Sequence, residues 1–202
     1  MSKSTPARAG RPRDENVHRA ILDATRDLMR EESYAAFSIE AVAARAGVAK
    51  QSIYRRWSSK GSLLVDLYMD GLEIPGAVAS RNFKDDLLAV LLQTTRHVQD
   101  TAFANILKSL VVEAQSNPEM RKLVQIKIVE PRREAMRRVI ANGKKSKELP
   151  EELDTEMILD FVFGAVWFNL LLGEGRLTSK FAHRVVKAIG LLGAPEHDAV
   201  QR

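Results

Sequence analysis

The 202-residue chain contains no cysteine. This excludes a disulfide framework, a thiolate nucleophile and any cysteine-based metal site. Its four histidines, His18, His97, His183 and His197, are scattered, with no pair at a metal-ligand spacing such as His-x-x-x-His. G-x-S-x-G, P-loop and G-x-G-x-x-G motifs are all missing. The adjacent Glu151 and Glu152 read as a solvated acidic patch in a loop rather than a catalytic pair. The expectation is therefore a protein that is not an enzyme and that holds no cofactor and no metal. No apolar run of signal-peptide type stands at the N-terminus. The longest apolar stretch, Met157 to Leu172, is interrupted by Asp160 and Asn169 and is short for a membrane span. A cytoplasmic protein that engages no membrane is expected. Strand-like alternation of useful length, internal repeats and low-complexity tracts beyond the first 13 residues are missing too.

What is present is unevenly placed. The chain carries 31 basic and 26 acidic residues, a net charge of +5. Residues 1–60 hold 12 basic and 7 acidic residues, and the rest of the chain balances at 19 of each. All the excess positive charge therefore lies at one end, the footprint expected of a phosphate-binding module. Affinity for nucleic acid would then depend on salt through counterion release.

The basic end contains two short helical patterns around a glycine. Ile39, Val42, Ala43 and Ala46 recur at helical spacing. Ser38 stands at the N-cap, and Glu40 follows in the first turn, where a carboxylate suits the positive helix end. Gly47 is placed to take a left-handed conformation and end the helix. Val48, Ile53 and Trp57 then close back onto that helix, which makes Trp57 a core residue rather than a contact. Gln51 and Arg55 fall on the face opposite Ile53, flanked by Lys50, Ser52 and Tyr54. Two helices joined by a short glycine turn form the helix-turn-helix pattern, whose second helix enters the major groove of DNA. The alternative is an ordinary helical hairpin with a solvated basic face. On the DNA-binding reading, Gln51 and Arg55 suit base edges, since Gln pairs with adenine and Arg with guanine. Lys50 suits either a base or a phosphate, and Ser38 is placed to reach a phosphate from the N-terminus of the first helix.

The remainder reads as all helix. The expected segments are Asp14 to Glu32, Ser59 to Leu72, Phe83 to Asp100, Thr101 to Gln115 and Pro118 to Ala141, with a kink or split at Pro131. A polar loop is expected from Asn142 to Pro150. Asp154 caps a helix ending near Leu172, and Thr178 caps a last one ending near Leu192. The domains expected are a disordered basic arm (1–13), a helix-turn-helix domain (14–60) and a helical body (61–202). In the arm, Arg11, Pro12 and Arg13 carry an extended bias that would suit a narrow minor groove, and a plain soluble tail is the other reading.

The first third of the chain resembles the DNA-binding domain of the TetR family of bacterial transcriptional regulators. The resemblance rests on Ile39, Val42 and Ala43, on Ala46-Gly47-Val48, on Ile53-Tyr54 with Trp57, and on Ser59-Lys60 followed by Leu63-Leu64. Upstream it extends through Ile21 to Thr25 and Leu28. Downstream, Glu148-Leu149, Asp154, Phe163-Gly164, the run Leu170 to Gly175 and Phe181 are similar to one C-terminal type in that family. Three positions depart from the family's pattern. Ser33 stands where a glycine usually ends the first helix, and Phe37 where a small or polar residue is usual, as extra packing under the helix pair. Ala49 replaces the usual Ser or Thr, which loses a side-chain cap of about 1 kcal/mol.

The resemblance implies an all-α chain, with an N-terminal three-helix DNA-binding domain on a C-terminal ligand-binding and dimerisation domain. It implies a homodimeric repressor that binds a palindromic operator in double-stranded DNA and is released by a small-molecule effector. An activator, or a DNA-binding protein controlled by a partner or acting architecturally, are the alternatives. It assigns phosphate contacts to Tyr54 and Lys60. It places a dimer interface on the last two helices, with Phe161, Gly164, Ala165, Trp167, Phe168, Phe181 and Val185, although Met157 to Leu172 would equally suit a central core helix. It places an effector pocket near Tyr68, Met69, His97, Phe103, Ile106, Phe163 and Trp167, with Arg96, Gln125 or Asn169 as polar anchors. The same residues also suit ordinary packing. Coupling to the DNA-binding domain would run through Leu63 to Leu72.

Overall fold

The computed structural model describes residues 11–31, 37–71, 82–173 and 177–192, with the backbone alone for 11–13 and 192. Among the described residues there are only helices and connecting turns. In chain order they are α1 (Arg11–Glu31), α2 (Ile39–Ala46), α3 (Lys50–Tyr54), α4 (Lys60–Asp70), α5 (Phe83–Gln99), α6 (Thr101–Ser116) and α7 (Pro118–Val124). A π-helical turn (Gln125–Val129) leads into α8 (Glu130–Lys145), followed by α9 (Thr155–Leu171) and α10 (Ser179–Leu192).

Caps written in the sequence set most of the boundaries. Ser59 and Ser62 close a reciprocal capping box at the start of α4. Asn82, Asp100, Asn117 and Asp154 each accept backbone N–H groups at the starts of α5, α6, α7 and α9. Thr178 Oγ1 accepts from Phe181 N at 3.4 Å ahead of α10.

Two boundaries differ markedly from the sequence expectation. The backbone of α1 is helical from Arg11, three residues before Asp14, so Arg11 and Arg13 belong to its first turn rather than to an extended arm. Pro12 falls where its missing N–H has no helical partner to lose. The expected loop from Asn142 is helical as far as Lys145. There Gly143 lies so close to Phe83 that a Cβ would come within 2.8 Å of the ring, and this packing outweighs the loop-like composition. Ser33 and residues 1–10 lie outside the described residues. At Pro131 the expected disturbance takes a specific form. Proline cannot donate to the carbonyl four residues back, and the turn just before it widens, with Glu130 N–H reaching Gln125 O.

One core runs through the described chain. Ile21, Leu22, Leu28 and Met29 of α1 join Val42, Ile53, Trp57 and the α4 residues Leu63, Leu64, Leu67 and Tyr68, all buried. The helices α1 and α4 both pack on α6. Asn105 Nδ2 donates to Met29 O at 3.0 Å, and Arg30 pairs with Asp100 at 2.8 Å. The basic module is thus seated on the body through α1 and α4.

Candidate nucleic-acid interface

The short helix α3 is held from below and bare above. Ile53 is fully buried and Trp57 nearly so. The Trp57 indole donates to Asp66 Oδ2 of α4 at 2.9 Å, and its ring stacks on His18 of α1 at 5.1 Å between centroids. Gly47 takes φ +65°, and Val48 N donates to Ala43 O at 3.0 Å, which closes α2 and sets the entry into α3. Phe37 is buried beneath the pair, as expected. Ala49 stands at the N-cap without a side-chain bond.

On the open side Gln51, Tyr54 and Arg55 are all exposed, Tyr54 to 54%. Among the described residues their side chains make no hydrogen bond and no ion pair. Lys50 is exposed too, but its ammonium is held 2.7 Å from Glu40 Oε1, and that bond lowers the Glu40 carboxyl below its ordinary pKa. Ser38 is half-buried and accepts from Ala41 N at 3.1 Å, which leaves its hydroxyl proton available. Ser52 is half-buried, and its carbonyl accepts from Arg56 Nη1 at 2.8 Å. Lys60 is half-buried with its ammonium 4.9 Å from the Phe37 ring centroid. Desolvation lowers its pKa, and the Glu113 charge opposes that. It reaches a phosphate only by leaving this seat. The side chains of Arg11 and Arg13 lie outside the described residues.

Arg56 was not singled out in the sequence. Its guanidinium bonds Asp14 of α1 as well as the Ser52 carbonyl, so it pins the end of α3 to the first helix. The adjacent Arg55 and Arg56 look alike in sequence, and only helical phase separates the outward from the tied arginine.

Within the body a small cavity of about 30 Å³ lies among α4, α5, α6, the π-turn, α8 and α9. Of the expected pocket residues, Tyr68, Phe163 and Trp167 line it. His97 and Phe103 pack around Tyr68 instead, with centroids 6.2 and 5.9 Å from its ring. Ile106 is core, Met69 is half-buried away from the cavity, and Arg96 and Gln125 face solvent. Asn169 donates to Ala165 O at 2.8 Å. The charged group that does reach the cavity is Arg132, unforeseen in the sequence. Its Nη2 donates to the Tyr68 hydroxyl at 2.7 Å and its Nη1 to Ile128 O at 2.6 Å. Burial pushes the Tyr68 phenol up, with the Arg132 charge acting in the opposite sense.

On α9, Phe161 and Phe168 are exposed by 56% and 62%, with Gly164 open between them and Ala165 half-buried beside them. Phe181 does not belong to this face. It is only 8% exposed because it packs into the chain's own core, and Val185 is half-buried above it.

Residues 21–67 match the family model described as bacterial regulatory proteins, tetR family. Residues 80–189, more than half of the chain, match the tetracyclin repressor-like C-terminal domain. The chain belongs to the TetR family. This TetR-family protein is a DNA-binding transcriptional regulator of the helix-turn-helix type and not an enzyme. Among curated relatives, the HTH-type regulator YdeS of Bacillus subtilis is 27% identical over 184 residues, covering 89% of this chain and 91% of the relative. The DNA-binding transcriptional repressor TetR of Mycobacteroides abscessus is 24% identical over 186 residues, 89% of this chain and 95% of that one. Among solved structures, the TetR family regulator SCO0332 superposes with a TM-score of 0.69 at 25% identity, over 89% of this chain and all of the other. The fold is also that of FadR from Bacillus subtilis, determined in complex with stearoyl-CoA, at a TM-score of 0.73 and 22% identity over 89% of this chain and all of that one. Among the described residues no helix is long and apolar enough to cross a membrane.

Proposed function

We propose that this regulator acts as a cytoplasmic homodimer that represses transcription from a palindromic operator and leaves it when a small molecule enters the helical body. The observation that carries the reading is the face of α3. Gln51, Tyr54 and Arg55 project from a helix whose underside is locked by Ile53 and Trp57, and nothing within the described molecule occupies their polar groups. Gln51 and Arg55 then read base edges, and Tyr54, Ser38 and a displaced Lys60 hold phosphates. Lys50 must exchange Glu40 for the duplex, so it contributes less than an unpaired lysine would.

A single five-residue helix offers too little contact for a specific site, so two copies must act together. The exposed Phe161, Gly164 and Phe168 on α9 supply an apolar face with room for close helix approach. A small-molecule effector is supported by the cavity beside α4, the helix that carries Asp66 under Trp57, and by a fold neighbour crystallised with stearoyl-CoA.

Selection from randomised duplexes with the purified protein, paired with sedimentation analysis, tests the proposal. A palindromic consensus with half-sites about one helical turn apart is expected, bound by a dimer. A monomer in solution, or no enrichment of any sequence, rejects it.

A further inference from the structure

Resting on the reading that a small molecule enters the body, the geometry points to Arg132 and Tyr68 as the head-group seat for a monocarboxylate carried on an apolar chain or ring. The cavity they line is otherwise walled by groups such as Ile128, Phe163, Trp167 and Leu170. Arg132 alone among its lining residues is charged. Among the described residues no carboxylate lies within 4 Å of that guanidinium, in contrast to Arg133 and Arg137 on the same helix, each of which pairs with Glu156. Its two partners, a phenol and a backbone carbonyl, are neutral.

A half-buried cation without a counter-ion is unfavourable, and an arriving anion relieves that cost. The Tyr68 hydroxyl adds a second vacancy. It accepts from Arg132, and among the described residues its own proton is given to nothing. The seat therefore offers guanidinium N–H groups and one O–H, all donors, at the end of an apolar chamber. A carboxylate is planar and accepts through two oxygens, which matches a guanidinium fork with a phenol beside it. An ammonium head is repelled, and an alcohol leaves the charge uncompensated.

The chamber of about 30 Å³ holds roughly one water. A ligand tail must therefore displace Phe163 and Trp167, which are half-buried on α9. The head group meanwhile draws Arg132 off the Tyr68 hydroxyl. Tyr68 belongs to α4, so occupancy of the seat acts directly on the helix beneath the DNA-reading unit.

The full-length protein is titrated with butanoate, octanoate and dodecanoate, and with octanol, octylamine and octyl phosphate as controls. Tryptophan fluorescence and the thermal midpoint report binding, and release of labelled operator is followed separately. Octanoate or dodecanoate is expected to bind at least about tenfold tighter than the alcohol of matched length, the scale of a charge-assisted hydrogen bond. Arg132→Gln should erase that preference while leaving the weak binding of octanol, and Tyr68→Phe should reduce it severalfold. The seat is overturned if no carboxylate binds at millimolar concentration, if octanol or octylamine binds as well, if octyl phosphate binds more tightly than octanoate, or if a folded Arg132→Gln protein keeps the preference. The comparison of head groups on the unsubstituted protein decides the matter even if both variants fail to fold. Selective carboxylate binding without operator release upholds the seat and rejects only the release step of the proposed function.

Discussion

The indole of Trp57 donates to the carboxylate of Asp66 across 2.9 Å, and this bond ties the end of the DNA-reading unit to α4. His18 of α1 stacks on the other side of the same ring. The orientation of α3 is therefore fixed from two helices, and both of those helices rest on α6 of the body. Packed, hydrogen-bonded contacts, rather than a flexible linker, thus connect α4 to the helix that carries Gln51 and Arg55.

Trp57→Phe keeps most of the buried ring and removes the donor. Because Asp66 is about half-exposed, its carboxylate rehydrates, and the expected loss of stability is about 1 kcal/mol. Operator affinity should fall severalfold as α3 loosens. Thermal unfolding and fluorescence anisotropy measure the two, and a Trp57→Phe protein that matches the unsubstituted one in both would contradict the coupling.

Arg55→Ala should weaken binding to the selected operator by about 1–3 kcal/mol, the scale of a bidentate guanine contact, and should change binding to random duplex far less. Tyr54→Phe should reduce affinity for both duplexes equally, since a phosphate contact carries no sequence information. Equal losses on the two duplexes for Arg55→Ala, or a sequence-selective loss for Tyr54→Phe, would reverse the assignments.

The reading head was legible because its signals are local. A serine cap, a glycine at positive φ and an inward Ile53 and Trp57 lie within twenty residues, and each acts on its own neighbourhood. The body was legible in its helices but not in its interior chemistry. Arg132 sits in the run Glu130-Pro131-Arg132-Arg133-Glu134, which reads as a solvated face. Only the widened turn ahead of Pro131 and the position of Tyr68, 64 residues away, bring it to the cavity. Arg96 lies away from this cavity for a simple geometric reason. Thr94 and Val98 face the cavity, and a residue midway between them on a helix points the opposite way. Asn142 and Gly143 look like breakers, yet the helix runs on because Phe83 needs the missing side chain at Gly143.

Acid should weaken the join between α8 and α9. Hydrogen bonds from Arg137 and then Arg133 hold the Glu156 carboxyl at about 2, below its ordinary 4.5. A carboxyl with a depressed pKa in the folded protein stabilises above its unfolded value and loses that contribution as pH falls through the folded one. The advantage of the unsubstituted protein over Glu156→Gln should therefore be constant above about pH 5 and shrink steadily from about 4.5 towards 2. Urea unfolding midpoints across that range check it. A gap between the two proteins that widens on acidification would show the sign to be wrong.

Phe161 and Phe168 lie on one outward stripe of α9, with Gly164 between them, and a lone protomer leaves both exposed by more than half. Phe181, one helix away, is buried in the protomer itself. The two kinds of position separate assembly from folding. Phe161→Asp combined with Phe168→Asp touches no core contact, so helicity and the unfolding of the isolated protomer should change little. If this stripe joins two copies, the doubly substituted protein sediments as a monomer and loses operator binding, while its weak salt-dependent binding to random DNA persists. Phe181→Ala should behave in the opposite way, lowering protomer stability by about 3–5 kcal/mol through loss of a buried ring. Sedimentation and calorimetry on the two variants form one test. A dimer that survives both aspartates moves the interface elsewhere on the molecule, and with it the spacing of the two copies of α3 along the duplex.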